Sequence, residues 1–107
     1  MKHYKIYVYA ICKNEEAFVE DWVRSMGEAD GIFVTDTGSH DRTVELLKRC
    51  QVQVFQETIL PWRFDTARNL SLSHVPPDAD ICVCTDLDER FLPGWRSALE
   101  RAWQPGT

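Results

Sequence analysis

Apolar residues along the chain recur at two spacings, one typical of strands and the other of helices. Four runs rich in β-branched and aromatic residues predict strands: Lys5–Cys12, Ile32–Val34, Val52–Phe55 and Ile81–Thr85. Helical spacing predicts four helices: one through Phe18, Trp22, Val23 and Met26, one through Val44, Leu46 and Leu47, then Phe64–Ser73 and Pro93–Trp103. This alternation indicates an α/β domain, with a parallel sheet, right-handed crossovers and helices on both faces.

Polar residues and glycines predict where the helices begin and end. Asn14 is a candidate N-cap for the first helix, which Gly27 would end. Ser39 or Asp41 would cap the second helix. Pro76-Pro77 interrupts regular secondary structure before the fourth strand. Residues 1–107 therefore suit a single domain.

Composition narrows the class of protein. The 107 residues are 44% apolar, 27% charged and 11% aromatic, which is ordinary for a globular domain. The formal net charge of −5 argues against a protein that binds the nucleic-acid backbone, which requires a basic face. The sequence has no run of ~20 apolar residues that could span a membrane and no signal-peptide pattern, so we expect a cytoplasmic protein.

Four cysteines are present, and their spacing fits neither a zinc site nor a Cys-x-x-Cys pair. They are Cys12, Cys50, Cys82 and Cys84. Cys82 and Cys84 would share one face of the fourth strand, and we expect both to be buried in the core because free cysteines often are. Reduced thiols would agree with a cytosolic protein.

An acidic segment, Asp86-Leu87-Asp88 with Glu89 beside it, follows the apolar fourth strand. On an extended backbone, side chains two residues apart share a direction, so Asp86 and Asp88 can converge. Two carboxylates held close repel each other unless a cation lies between them. Hard oxygen ligands favour Mg²⁺ or Mn²⁺, commonly shared with a phosphate. The segment therefore predicts a site for a metal and a diphosphate.

Polar residues also follow the first two strands, at 13–15 and 36–41. Because the carboxyl ends of parallel strands meet at one edge of a sheet, these segments and the acidic one should lie together. The alternative is that polar residues simply follow strands. Three acidic ends in one chain favour a ligand site.

Four stretches of the chain resemble, in order, the motifs of glycosyltransferase family 2. They are Ala10–Glu16, Val34–Thr43, Ala67–Asn69 and Thr85–Glu89, and they span nearly the whole chain. The resemblance implies a three-layer α/β/α Rossmann-like GT-A nucleotide-binding domain with about four strands. It also implies a metal-dependent glycosyltransferase that uses Mn²⁺ or Mg²⁺ and transfers a sugar, with inversion, from a nucleoside diphosphate sugar. A UDP-sugar is the favoured donor.

The same resemblance implies roles for single residues. Asp36 would accept a hydrogen bond from the base, Asp88 would bind the metal, and Asp86 would lie near the metal, the ribose and the diphosphate. The other implied contacts to the nucleotide sugar are Asn14, Glu15, Gly38, Ser39, Arg68, Asn69 and Leu87. Arg68 would pair with phosphate or else lie on a solvated helix face. Asp41 and Thr43 are expected to organise the turn before the second helix.

The chain departs from the family in two respects. Many members have an aromatic residue that can pack on the base where this chain has Lys13. The general base of the family usually lies well beyond the metal motif, whereas this sequence ends eighteen residues after Glu89. We therefore expect a chain truncated before the acceptor-binding part, with no general base and with an exposed surface that favours a homodimer. Trp62, Trp95 and Trp103 could line an acceptor face, although packing beneath loops is the favoured role.

Two other functions stay open. A non-catalytic module that binds a nucleotide sugar would carry the same motifs. The acidic segment also resembles the nucleophile motif of haloacid-dehalogenase-like phosphatases. That motif normally follows the first strand and needs a downstream lysine, and no lysine follows Asp88.

Overall fold

The computed structural model describes residues 4–60 and 62–103 as alternating strands and helices. The strands are β1 (Ile6–Cys12), β2 (Gly31–Asp36), β3 (Gln53–Gln56) and β4 (Ile81–Cys84). The helices are α1 (Val19–Ser25), which a 3₁₀ turn at Glu16–Phe18 precedes, α2 (Thr43–Arg49), α3 (Phe64–Ser73) and α4 (Trp95–Ala102). Each predicted strand begins and ends within two residues of the observed strand. None of the helices in the described part of the chain is long and apolar enough to cross a membrane.

The four strands form one parallel sheet in the order β3-β2-β1-β4. β1 is central because it pairs with both β2 and β4, with Tyr7 in register with Gly31 on one side and with Cys82 on the other. Helices α1 and α2 cover one face of the sheet, and α3 lies over β1 and β2 on the other. The predicted α/β class and parallel sheet are confirmed.

Alternate residues of β1 supply the two halves of the core. On one face the buried side chains of β1 and β2 pack against those of α1 and α2: Val8, Ala10, Cys12, Val34, Val19, Trp22, Met26 and Leu47. On the other face Tyr7 and Tyr9 pack near Val75, after α3, and the Ser71 hydroxyl of α3 donates to the carbonyl of Ala10 (3.2 Å). This packing places the carboxyl end of β1 between helices on both faces of the sheet.

Cys82 and Cys84 are exposed, so the prediction that both fill the core is wrong. They lie on the same side of β4, as expected from their spacing. β4 is an edge strand of this sheet, whereas α3 packs on β1 and β2, which leaves the cysteine side of β4 exposed. All four cysteines carry free thiols.

A distant carboxylate caps helix α4, which begins two residues after Pro93. Gly94 precedes the helix with a φ of 88° and has no side chain to cap it. Glu28 accepts the backbone N–H groups of Gly94 (2.8 Å) and Arg96 (3.2 Å) through its two carboxylate oxygens. Trp95 packs edge-on against Phe91 and donates its indole N–H to a backbone carbonyl of α1. The favoured packing role of Trp95 is therefore confirmed.

Candidate functional site

The carboxyl ends of β1, β2 and β4 bring three polar segments to one edge of the sheet. Cys12, which ends β1, is in register with Asp36, which ends β2, and Tyr9 is in register with Cys84, which ends β4. The segments that follow these strands are 13–16, 37–43 and 85–89. Hydrogen bonds join the first two segments, and electrostatic interactions link the first to the third.

Asp36 ends β2 in a buried position, with 1% of the residue exposed. Oδ2 accepts the backbone N–H groups of Gly38 (3.2 Å) and Ser39 (3.0 Å). Oδ1 accepts the Ser39 hydroxyl and the Cys12 thiol (3.4 Å). A carboxylate offers about four acceptor positions, and donors of this chain already fill them. The Asp36 carboxylate therefore shapes its own turn, and its hydrogen bond to a base stays a prediction.

The Cys12 thiol is a donor in this arrangement. Burial raises the pKa of the Cys12 thiol far above its ordinary value of 9.0, and the neighbouring Asp36 carboxylate raises it further. The thiol therefore keeps its proton at neutral pH.

Gly38 sits at the tip of the turn after β2, with a φ of +124°. A side chain built there would meet no atom within 4 Å, so backbone conformation rather than space requires glycine. The absence of a side chain leaves the backbone of this turn open to a ligand.

Asn14 fastens the first polar segment to the second. Its backbone N–H donates to the Ser39 hydroxyl (2.8 Å), and its carboxamide oxygen accepts the backbone N–H of His40 (2.7 Å). Asn14 adopts a left-handed conformation with a φ of 54°. The prediction that Asn14 caps the first helix is wrong, because its carboxamide is used between segments and the 3₁₀ turn begins only at Glu16.

Asp41 and Thr43 make a second set of bonds between the same segments. One oxygen of Asp41 accepts the N–H (3.0 Å) and the hydroxyl of Thr43, and the other accepts the N–H of Glu16 (3.3 Å). Thr43 in turn accepts the N–H of Glu15 (2.9 Å). The Thr43 hydroxyl is the main cause that lowers the pKa of the Asp41 carboxyl below 3.8. Both residues organise the start of α2, and of the two predicted caps only Asp41 bonds to the first residue of that helix.

The acidic segment after β4 is a turn and not the extended strand end that was predicted. The N–H of Glu89 donates to the carbonyl of Asp86 (3.0 Å), and the Glu89 carboxylate accepts the N–H of Asp86 (2.8 Å) and the Thr85 hydroxyl (3.3 Å). Leu87, 1% exposed, is buried in the core. The predicted ligand contact of Leu87 is therefore wrong for its side chain, which anchors the turn. Asp86 and Asp88, on either side of it, are exposed.

The carboxylates of Asp86 and Asp88 have no hydrogen bond or ion pair with any residue in 4–60 or 62–103. Burial is the main cause that raises the pKa of the half-buried Glu15 carboxyl, and the charges of Asp88 and Asp86 raise it further. The charges of Asp86 and Asp88 thus act on the Glu15 carboxylate at the strand ends.

Oxygen donors of this kind suit a hard divalent cation. Across the described residues, no set of three His, Cys, Asp or Glu side chains could hold a metal ion by itself. Mg²⁺ often binds through one or two carboxylates and completes its coordination with water and substrate phosphate. Asp86 and Asp88 fit such a shared site and do not fit a closed protein cage.

A cleft of about 520 Å³ opens beside these strand ends, within the range typical of small-molecule sites. Its polar lining includes Lys13, Glu15, Thr37 and Asp86. The rest comes from Ile11 and Cys12 of β1, from Thr58, Ile59, Leu60 and Trp62 of the loop between β3 and α3, and from Phe64, which begins α3. The cleft therefore has a charged part and an apolar part.

Arg68 and Asn69 lie on the exposed surface of α3. The Arg68 guanidinium stacks over the Phe64 ring, 4.7 Å from its centroid. Neither residue lines the cleft, although Phe64 joins Arg68 to its apolar side. Of the two predicted positions for Arg68, the structure favours the helix surface.

Sequence reasoning missed the apolar side of the cleft. Trp62 is 54% exposed and lines the cleft, so the favoured role of packing beneath a loop is wrong for this tryptophan. The position of Trp62 held a usable signal, because the loop after β3 begins at the same edge of the sheet as the three acidic segments.

Comparisons with known proteins agree with this arrangement. A sequence model of the family described as Glycosyl transferase family 2 matches residues 7–106. The chain is also similar to glucosyl-3-phosphoglycerate synthase from Mycobacterium tuberculosis in crystal structures with Mn²⁺, UDP and glucosyl-3-phosphoglycerate, and with Mg²⁺ and UDP. Each shares 26% identity with this chain and has a TM-score of 0.67, over 79% of this chain and 34% of the synthase chain. A complex of the same synthase with UDP alone has a TM-score of 0.68 at 26% identity, over 80% and 34% of the two chains. This chain thus spans about a third of the length of the synthase.

Proposed function

This chain belongs to glycosyltransferase family 2, and we propose that its cleft binds a nucleoside diphosphate sugar together with Mn²⁺ or Mg²⁺. The protein would transfer the sugar to an acceptor with inversion. A UDP-sugar is the proposed donor, supported by the synthase structures that contain UDP with Mn²⁺ or Mg²⁺. Family membership removes the reason for the phosphatase alternative, which depended on the acidic segment alone.

The observation that carries this proposal is the set of unpaired carboxylates at the charged part of the cleft. Asp86 and Asp88 are exposed and have no partner in the described chain, and Glu15 interacts with both. The charges of Asp88 and Asp86 lie close enough to Glu15 to repel its carboxylate. A divalent cation that also binds a diphosphate removes that repulsion.

Each residue of the edge has a distinct part in the proposal. Asp88 and Asp86 would hold the metal, which when bound supplies a Lewis acid for the charge that develops on the leaving diphosphate. Lys13 lines the same part of the cleft, where its ammonium can donate to a phosphate oxygen. Gly38 would let the nucleotide approach the turn after β2 closely, and Asp36 would keep that turn in shape.

The other predicted site residues would support the site indirectly. Asn14 and Ser39 would hold the two turns at a fixed separation, so that a ligand meets a preformed surface. Arg68 and Asn69 would approach a bound nucleotide from α3. We also propose that the general base comes from an acceptor-binding part of the protein that lies outside the four motifs.

No general base is assigned within the cleft, for a physical reason. Inversion needs a base on the side of the sugar opposite the leaving group, within reach of the acceptor hydroxyl. Glu89 is engaged by the Thr85 hydroxyl and the Asp86 N–H, and it belongs to the turn that carries the proposed metal ligands. Glu15 lies beside the same acids.

Calorimetric titration tests the binding step. We expect UDP to bind with Mn²⁺ or Mg²⁺ present and to lose most of its affinity with EDTA. Asp88→Asn should weaken binding by about tenfold or more, since a contact to a charged group contributes about 1.5–3 kcal/mol. Glu20→Gln is the matched control, because Glu20 is an exposed acid of α1 that does not line the cleft. Equal affinity with EDTA and with the metal would contradict the proposal.

A second assay separates enzyme from binding module. Release of UDP from UDP-sugars in the presence of Mn²⁺ should be abolished by Asp88→Asn and retained by Glu20→Gln. Metal-dependent binding without any release, with or without added acceptors, would favour the non-catalytic module instead.

A further inference from the structure

The cleft has an apolar wall that the metal and diphosphate do not explain. This wall, which lies apart in sequence from the lining residues Ile11 and Cys12 of β1, comes from one loop and the first residue of α3: Ile59, Leu60, Trp62 and Phe64. Of these, Leu60 is 86% exposed, Trp62 54% and Phe64 51%. Large apolar side chains that are exposed side by side in a concave site indicate a surface that a ligand covers.

The two rings of this wall are not equivalent. The Phe64 ring already has the Arg68 guanidinium over it, 4.7 Å from the centroid. Trp62 has no ring contact, cation contact or hydrogen bond with any other residue that the structure describes. Trp62 is therefore the aromatic residue of the wall whose faces and indole N–H are available.

The polar side of the cleft cannot supply a flat contact. The first segment contributes Lys13 and Glu15 there, the second contributes Thr37, and the acidic turn contributes Asp86. A nucleoside diphosphate has the complementary division, with an anionic end and a planar base. Since its anionic end matches the part of the cleft with the proposed metal ligands and Lys13, its base falls on the apolar wall.

We propose that Trp62 is the residue on which the base of the donor nucleotide stacks, so that the loop between β3 and α3 provides the aromatic contact that the first segment lacks. This inference rests on the proposed function. It adds a base-binding residue that determines affinity for the nucleoside part of the donor. Stacking on an indole tolerates any base, so Trp62 contributes affinity more than choice of base.

Calorimetry on the whole chain with Mn²⁺ tests this inference by comparing UDP with inorganic pyrophosphate, which has no base. Trp62→Ala should weaken UDP about five- to hundredfold, the range expected for one stacked base, and leave pyrophosphate affinity unchanged. Trp62→Phe should retain most of the affinity for UDP. Leu92→Ala is the matched control, because Leu92 is 82% exposed, apolar and outside the cleft.

The possible failures are distinguishable. If Trp62→Ala binds UDP as tightly as the wild type, the stacking role is refuted while the proposed function stands. If Trp62→Ala weakens UDP and pyrophosphate equally, the tryptophan acts by shaping the cleft, which also refutes stacking. If the wild type binds neither ligand, the proposed function fails and this inference fails with it. Far-ultraviolet circular dichroism of each variant shows that lost affinity does not reflect unfolding.

Discussion

Replacement of Asp36 by asparagine tests whether this carboxylate builds the site or meets the ligand. The substitution keeps the shape of the side chain but removes its charge and half of its acceptor capacity. In one orientation the new amide group faces the N–H groups of Gly38 and Ser39, and in the other it faces the Ser39 hydroxyl and the Cys12 thiol. Two of the four donors therefore lose their acceptor in either orientation.

The expected cost follows from these bonds. A hydrogen bond to a charged group contributes about 1.5–3 kcal/mol, so two such bonds amount to about 3 kcal/mol or more. Rotation of the Ser39 hydroxyl recovers part of this, which brings the expected loss for Asp36→Asn to about 2–4 kcal/mol. Ser39→Ala removes one donor from the carboxylate and the acceptor of the exposed Asn14 N–H, which water can replace, so it should cost about 1.5 kcal/mol. These losses are large beside the total stability of about 5–15 kcal/mol that is usual for small domains.

Equilibrium unfolding in urea, followed by circular dichroism, measures both variants. The midpoint should fall in the order wild type, Ser39→Ala, Asp36→Asn, with the slope of the transition unchanged. Glu20→Gln serves as control and should leave the midpoint nearly unmoved. A fully stable Asp36→Asn protein that no longer binds nucleotide would refute this reasoning, because the carboxylate would then act on the ligand and not on the turn.

Three further predictions concern the same framework. Glu28→Ala removes the carboxylate that accepts two backbone N–H groups at the start of α4. It should lower the free energy of unfolding by about 1–2 kcal/mol in the urea assay, and Glu28→Gln should lower it by about half as much. Equal stability of the wild type and Glu28→Ala would contradict the capping role. Gly38→Ala forces an L-residue to a φ of +124° and should cost about 1–2 kcal/mol, although no atom obstructs the new methyl group; an unchanged midpoint would show that the turn relaxes. The pKa of the Asp41 carboxyl should lie below 3.8 by nuclear magnetic resonance and rise in Thr43→Val, which lacks the hydroxyl. Because folding lowers this pKa, the associated stability is present above the unfolded-state value and is lost as the pH falls through the folded-state value.

The fold was predictable because its signals are local. Apolar spacing alone placed each strand within two residues and gave the bounds of α3 as Phe64–Ser73. The predicted helix Pro93–Trp103 also lies within two residues of α4, but its cap was not predictable, since Glu28 lies far from it in the sequence. The exposure of Cys82 and Cys84 was missed for a similar reason: the strand pattern says which residues share a face, but the position of α3 decides whether that face is covered.

The candidate site was predictable as a set of motifs and less so as a set of contacts. The carboxyl ends of parallel strands lie at one edge of the sheet for any loop conformation. The grouping of the three acidic segments therefore followed from the topology. Partners such as Asn14 with His40, or Asp41 with Glu16, join residues about 25 positions apart, and no local pattern encodes them. Leu87 was predicted to contact the ligand because it lies inside the Asp-Leu-Asp motif. The motif does not show that successive side chains of this turn alternate between the core and the solvent.

The acidic residues at this edge of the sheet are of two kinds, buried and exposed, and burial decides whether a carboxylate must be paired within the chain. A carboxylate taken out of water needs hydrogen-bond donors at once, so the buried Asp36 is surrounded by donors of its own chain and cannot respond to a ligand without breaking them. A carboxylate left exposed needs no such donors, and Asp86 and Asp88 are exposed. The anchoring of Leu87 between them fixes the position of both without using either charge. In the proposed binding, a cation and a diphosphate would engage Asp86 and Asp88 without breaking the bonds that hold Asp36.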